Sequence, residues 1–248
     1  MTGREVGAPP PRAVAVTSAG IRAGTGVGTD VVFLPGMAVH RYLRRTQDLV
    51  ARQARAHLVH LPGTGQAPDA PWPAGLAEDV TATLDWLSAN PAAGPLVLVG
   101  HSYGCQVAGR IAAAVPNQVT ALVLASPTID PAYRSWPRLV TRFALESAAT
   151  PARLGRMQLS EQRRAGPRRM LAIVRSMLAD DPEEALARVH VPTTVVRGEH
   201  DRLCTERWAR RLADRPGGSF VSVEGGIHAF PYDRPEALAE AVKAYLPR

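Results

Sequence analysis

The sequence predicts an α/β fold, a doubly wound, mostly parallel eight-stranded sheet carrying an inserted helical segment, and three observations predict it. Short Val/Leu-rich runs recur along the 248 residues, each stopping at a small or turn-forming residue. Stretches with apolar residues at helical spacing lie between them. The alternation fails once, between Ile129 and Arg188, where no strand-like run occurs.

Taken in order, AVAVTS (13–18) and GIRAGTG (20–26) are weak strand signals after a Pro-rich start and read as an antiparallel hairpin at a sheet edge. DVVFLPG (30–36), AHLVHLPG (56–63), PLVLVG (95–100), ALVLAS (121–126), TTVVRG (193–198) and SFVSVEGG (219–226) follow. They lack polar alternation, as parallel strands covered on both faces do. Helical spacing appears at Leu76, Val80, Leu84 and Leu87, in the small, apolar run Tyr103 to Val115, and in the amphipathic stretches Thr205–Ala213 and Pro235–Leu246. Within the strandless segment, Trp136, Leu139, Val140 and Phe143 share one helical face opposite Arg134, Arg138 and Arg142, and Met170, Ile173, Val174, Met177 and Leu178 form a second stripe. The expected division is a core of residues 1–129 plus 188–248 and a helical insertion of 130–187.

Composition narrows the function classes. The formal net charge is +7, with Lys243 the only lysine. The excess is local: residues 131–175 hold ten arginines against Glu146 and Glu161. A basic surface is the usual footprint of a phosphate binder, but no zinc-finger spacing, RNA-binding aromatic motif or helix-turn-helix pattern accompanies it, so nucleic acid is not the expected partner. An anionic partner for the arginine-rich segment is the sharper reading and a solvated face the plainer one. No run of about 18 apolar residues exists and the N-terminus has no apolar signal core, so a cytoplasmic chain without membrane insertion is expected. Cys105 and Cys204 are far apart and read as free thiols in a reducing compartment. His40, His57, His60 and His190 show no metal-ligand spacing, and Gly63-x-Gly65 is not followed by a Gly-x-x-Gly helix start. No metal or cofactor is therefore implied; the expected partner is a small-molecule substrate, an anionic or carrier-protein-bound one included.

In an open parallel sheet, functional groups gather at the carboxyl ends of the strands. Three fall there: Ser102 after PLVLVG, Asp201 after TTVVRGEH and His228 after SFVSVEGGI. The pattern Gly100-x-Ser102-x-Gly104 leaves Ser102 two roles, helix N-cap or nucleophile. A serine hydroxyl is a poor nucleophile near neutral pH. A histidine must take its proton, and a carboxylate must hold the imidazole tautomer, which is the chemistry that His228 and Asp201 fit. Gly100 and Gly104 suit the close approach of strand and helix at a sharp turn. The backbone N–H of Tyr103, at a helix N-terminus, and that of Met37, in the loop after FLPG, are the candidate oxyanion donors. Trp136, Phe143 and Met170 are candidates for pocket lining.

These residues resemble the α/β-hydrolase superfamily over nearly the full chain. GHSYG matches its nucleophile elbow, VHLPGTGQAP (59–68) is similar to its Gly-rich loop, VPTTVVRGEHD (191–201) to the strand leading to its acid, and GGIHAF to its histidine turn. The resemblance implies a Ser–Asp–His hydrolase of a carboxylic ester, thioester or lactone, with the insertion as cap. It also implies alternatives: Asp130 as the acid, since some members place it after that strand; C–C bond hydrolysis, lyase or cyclase chemistry on the same fold; or a non-catalytic binding module. The chain departs from the family where the oxyanion loop, commonly His-Gly, reads Pro35-Gly36.

Overall fold

A computed structural model describes residues 14–20, 28–65, 67 and 75–247. Among them lie seven strands, β1 (Ala15–Ala19), β2 (Asp30–Leu34), β3 (Arg55–His60), β4 (Leu96–His101), β5 (Val119–Ala125), β6 (Thr193–Gly198) and β7 (Gly218–Val223). They form one sheet in the order β1-β3-β2-β4-β5-β6-β7, parallel except for β1, which runs antiparallel to β3. The second arm of the expected hairpin, GIRAGTG, lies outside the described residues apart from Gly20.

The described residues also form eight helices: α1 (Arg44–Val50), α2 (Leu76–Ala89), α3 (Tyr103–Ala114), α4 (Trp136–Ala149), α5 (Ala152–Ala179), α6 (Pro182–Leu186), α7 (Glu206–Ala213) and α8 (Pro235–Lys243). The strands β2 and β4 are buried along their whole length, as their unbroken apolar runs require. One apolar cluster, with Leu98, Ile111 and Trp208, fills one face of the sheet, and another, with Val99, Phe230 and Leu238, fills the other. The edge strand β7 is covered on fewer sides, and Val221 is 40% exposed. Helix α1 has no counterpart in the apolar spacing: its seven residues, RRTQDLV, carry too few apolar positions to show a period.

Chain order reverses between β2 and β4, because β3 leaves β2 on one side and the chain crosses back to β4 on the other. The loops after these adjacent strands diverge and leave a crevice at their carboxyl ends. That crevice holds Met37 after β2 and Ser102 after β4.

Between β5 and β6 the chain is helical, as its patterning predicts, but not all of its apolar stripe is buried. On α4, Leu139 is buried while Trp136 is 45% and Val140 60% exposed. The stripe therefore turns one edge to solvent, and Phe143 on its other side faces the crevice. Helix α5 joins two helices across a kink at Gly166 (φ 77°), with Pro167 starting the second. Ile173 and Met177 of that second half are buried in the core. No helix among the described residues is long and apolar enough to cross a membrane.

Candidate active site

Ser102 joins β4 directly to α3 with φ 54° and ψ −122°, a conformation that costs a non-glycine residue on the order of 1–3 kcal/mol. The turn is this tight because a Cβ on Gly104 would lie 2.0 Å from the Leu34 carbonyl oxygen and one on Gly100 2.6 Å from Cys105 Cα. Ser102 occupies the N-cap position of α3 but its side chain makes no capping bond. Its Oγ instead lies 2.9 Å from His228 Nε2.

A second close approach brings the acid to the imidazole. A Cβ on Gly198, the last residue of β6, would lie 2.4 Å from the Ile227 carbonyl oxygen, so the loops after β6 and β7 touch only because Gly198 and Gly226 meet there. Across that contact His228 Nδ1 lies 3.0 Å from both Asp201 carboxylate oxygens. Asp201 Oδ1 also accepts the N–H groups of Leu203 and Cys204, each at 2.8 Å. Burial works against the charged carboxylate, but the His228 charge and these hydrogen bonds prevail and hold Asp201 below the usual Asp value. Since Asp201 only accepts, Nδ1 carries the proton, and Nε2 offers its lone pair to the Ser102 hydroxyl. Burial favours neutral His228, yet Asp201 and, more weakly, Glu146 outweigh it and raise its pKa.

The other expected residues are placed as follows. Asp130 is buried but accepts from Ala132 N and the Thr205 hydroxyl, with no bond to His228. Met37 lines the cavity at Ser102, and Tyr103 is the first residue of α3, whose N–H has no intrahelical partner. The Tyr103 hydroxyl donates to Asp79 at 2.8 Å, which Arg169 clasps from the other side at 2.6 and 2.7 Å. Of the three pocket candidates only Phe143 lines the cavity; Met170 packs against the core and Trp136 faces solvent. Cys105 is buried, and burial raises its thiol pKa well above the usual value. Of the loop 59–68, Gln66 and Pro68 lie outside the described residues.

Several residues of the site lie outside the expected set. His101 is buried, its Nδ1 2.6 Å from the Tyr42 hydroxyl and its Nε2 2.9 Å from the His228 carbonyl oxygen. Tyr42 accepts the Gly36 N–H at 2.8 Å, so its proton goes to Nδ1, and His101 Nε2–H donates to His228. Burial and the nearby His228 charge hold the His101 pKa at about 3, which keeps that tautomer neutral. The chain ties the loop after β2 to the loop carrying His228.

Glu146 and Glu161 are the two acids of the arginine-rich stretch, and both are buried. Glu146, on α4, accepts the backbone N–H of His228 at 2.8 Å and that of Arg202 at 3.0 Å. Glu161, on α5, accepts the His40 N–H at 2.8 Å and pairs with the Arg41 guanidinium. Burial opposes its charge, but the bonds from His40 and Arg41 hold its pKa at about 2. Their rarity among ten arginines was the available signal. The cavity beside Ser102 measures about 60 Å³ and is roofed by Phe143 of α4 and Gln158 and Gln162 of α5.

A second Ser–His–Asp chain shows what the first has that connectivity alone lacks. Ser18 Oγ lies 2.8 Å from His57 Nδ1, and His57 Nε2 lies 2.9 Å from Asp30. Here Arg55 also pairs with Asp30, and Ser18 sits exposed on the edge strand β1, at no helix N-terminus. Among the described residues no group of three or more His, Cys, Asp or Glu side chains is arranged to hold a metal ion.

The model of the alpha/beta hydrolase family matches residues 31–241, and the chain belongs to that family. It is similar to the pimeloyl-[acyl-carrier protein] methyl ester esterase of Aeromonas hydrophila subsp. hydrophila, 26% identical over 207 residues, 82% of this chain and 68% of the relative. A shorter stretch of 68 residues, 27% of this chain and 25% of the relative, is 46% identical to the lipase LipV of Mycobacterium tuberculosis. Among solved structures, a putative aryl esterase from Burkholderia cenocepacia superposes with a TM-score of 0.74 at 20% identity, covering 94% of this chain and 93% of that one. The enol-lactonase of Burkholderia xenovorans LB400 gives 0.73 at 18%, covering 93% and 95%. At these identities the two structures speak for the fold.

Proposed function

We propose that the protein is a serine hydrolase that cleaves a carboxylic ester, thioester or lactone through an acyl-enzyme. One observation carries the reading: Ser102, held at a strained turn on top of the sheet, lies 2.9 Å from His228 Nε2, whose other nitrogen is 3.0 Å from Asp201. Ser102 Oγ attacks the acyl carbon as its proton passes to His228 Nε2. Asp201 stabilises the imidazolium that forms. The oxyanion is received by the N–H groups of Met37 and Tyr103, each worth about 10²–10³ in rate. His228 then gives the proton to the leaving oxygen or sulfur. A water, deprotonated by His228 in turn, releases the acid and restores Ser102.

In this reading residues 130–187 form a cap over the cavity and supply the roof residues Phe143, Gln158 and Gln162. Two buried thiols fit a cytoplasmic setting. Ser102→Ala should abolish turnover of p-nitrophenyl acetate, and a fluorophosphonate should label Ser102 in the wild type alone. A folded wild type that resists the label would refute nucleophilic activation.

The substrate's remote portion is anionic in our reading, the acidic carrier protein being one form. The support is the exposed arginine surface of α4 and α5, whose two acids are both turned inward. The carrier-protein ester named for the Aeromonas relative is of that kind.

A further inference from the structure

We infer that Gln158 and Gln162 form a specificity subsite for a short acyl group bearing a hydroxyl or carboxylate oxygen, in preference to a plain alkyl chain. The inference rests on the hydrolase reading above and names the acyl class of that site. Gln158 and Gln162 are one helical turn apart on α5, and both line the cavity that holds Ser102 Oγ and His228. Phe143 is the one apolar side chain that α4 and α5 contribute to that lining. Neither carboxamide bonds another described residue. Together they offer four N–H donors and two carbonyl acceptors to whatever enters.

Size restricts the occupant first. The space beside Ser102, about 60 Å³, is less than half the roughly 150 Å³ that accommodates benzene, so it seats only a few heavy atoms of the acyl group. Polarity restricts it second. An alkyl group filling this space would leave the two carboxamides unpaired, whereas an oxygen on the acyl chain would restore the lost bonds. Sites built to hydrogen-bond a substrate reject its unsubstituted analogue strongly, by about 10⁴–10⁵ when fully buried. Gln158 and Gln162 are half-buried, so water recovers part of that loss and a smaller ratio, about tenfold or more, is expected.

The reaction follows the acyl-enzyme sequence. Ser102 Oγ bonds to the acyl carbon, methanol departs with the proton held by His228, and water then releases the carboxylic acid. Only the group seated against the two glutamines differs between substrates.

The test compares kcat/KM for methyl 3-hydroxybutyrate and monomethyl succinate with that for methyl pentanoate. The expected result is a preference of about tenfold or more for at least one oxygenated ester, which identifies hydroxyl or carboxylate as the favoured group, and collapse of that ratio to about one in Gln158→Leu/Gln162→Leu. Fluorophosphonate labelling of Ser102 certifies that the double variant keeps an intact site; if it fails to fold, Gln158→Met and Gln162→Met singly must each lower the ratio. Equal or faster cleavage of methyl pentanoate by the wild type overturns the inference, as does a preference that survives both glutamine replacements. If Ser102 labels while the esters are not discriminated, the subsite alone falls. If Ser102 does not label and no ester is cleaved, the hydrolase reading falls with it.

Discussion

Replacing Glu146 tests whether α4 holds the Asp201 and His228 loops in place. Glu146→Ala deletes the acceptor for two backbone N–H groups, His228 at 2.8 Å and Arg202 at 3.0 Å, which lie on the loops carrying the base and the acid. Hydrogen bonds to a charged group contribute about 1.5–3 kcal/mol each, so two would give about 3–6 kcal/mol. Relief of the buried carboxylate's own desolvation offsets part of this, and about 3 kcal/mol is the expected net loss. For a chain of this length that is a fall in Tm of roughly 6–12 °C. Glu146→Gln keeps one good acceptor but sets an NH₂ against an N–H, and should lose about half as much. The charge has a separate readout. Glu146 favours the imidazolium of His228, so its removal should move the acidic limb of kcat/KM to lower pH in both variants. Calorimetric melts and a pH profile on p-nitrophenyl acetate measure the two effects. A Glu146→Ala protein with wild-type Tm and an unmoved limb would refute the argument.

Other outcomes follow from the same geometry. The pKa of His228 is raised above the usual 6.5, and the base must be neutral to act, so kcat/KM should rise with a midpoint above 6.5; a midpoint below it would contradict the Asp201 contact. The same shift contributes stability that is complete below pH 6.5 and is lost as pH rises through the folded-state value, measurable as a falling Tm in Ser102→Ala. Asp201→Asn should cost about 10⁴ in kcat while Ser102 stays in place, because the amide inverts the His228 tautomer. Arg169→Met strands the fully buried Asp79 carboxylate and should destabilise by about 3–5 kcal/mol in urea melts, whereas Arg138→Met on the exposed face should change stability by less than about 0.5 kcal/mol. Hydrolysis of a thioester on an acidic carrier should weaken as salt shortens the Debye length from about 30 to about 8 Å, and that of a neutral ester should not; equal salt sensitivity would sink the anionic reading.

The parts of this molecule that could be read in advance are those in which one residue type answers one local demand. Strands β2 and β4 announce themselves because burial along their whole length calls for a nearly unbroken apolar run. The elbow announces itself because Gly104 cannot hold a Cβ 2.0 Å from the Leu34 carbonyl oxygen. Helix α1 and the exposure of Trp136 were not legible, since neither depends on a local pattern: α1 is set by packing on α8 and β3, and Trp136 by how far α4 rolls. His101 illustrates the limit. It lies within GHSYG, and its ring reaches the His228 carbonyl oxygen from 127 residues away, a contact that no spacing encodes.

The two acids of the arginine-rich segment tie α4 and α5 to the loops of the site. Each helix above the cavity carries one buried carboxylate, and each carboxylate accepts backbone N–H groups from a loop of the site: Glu146 from the loops of Asp201 and His228, Glu161 from the loop that follows Met37. Had these acids faced outward, they would have neutralised part of the arginine surface and left the loops without their acceptors. With both inside, the exposed face stays strongly basic and α4 and α5 are docked through charge-assisted bonds, worth about 1.5–3 kcal/mol apiece, to the loops around Ser102 and His228. A displacement of α4 strains or breaks the Glu146 bond to the His228 N–H, and one of α5 the Glu161 bond to the His40 N–H. A short acyl group that fits the cavity of about 60 Å³ with the helices in place meets a site already assembled. Under the proposed hydrolase reading the small space beside Ser102 and the inward acids act together, and a long acyl chain is disfavoured by the cost of breaking the Glu146 bond to the His228 N–H.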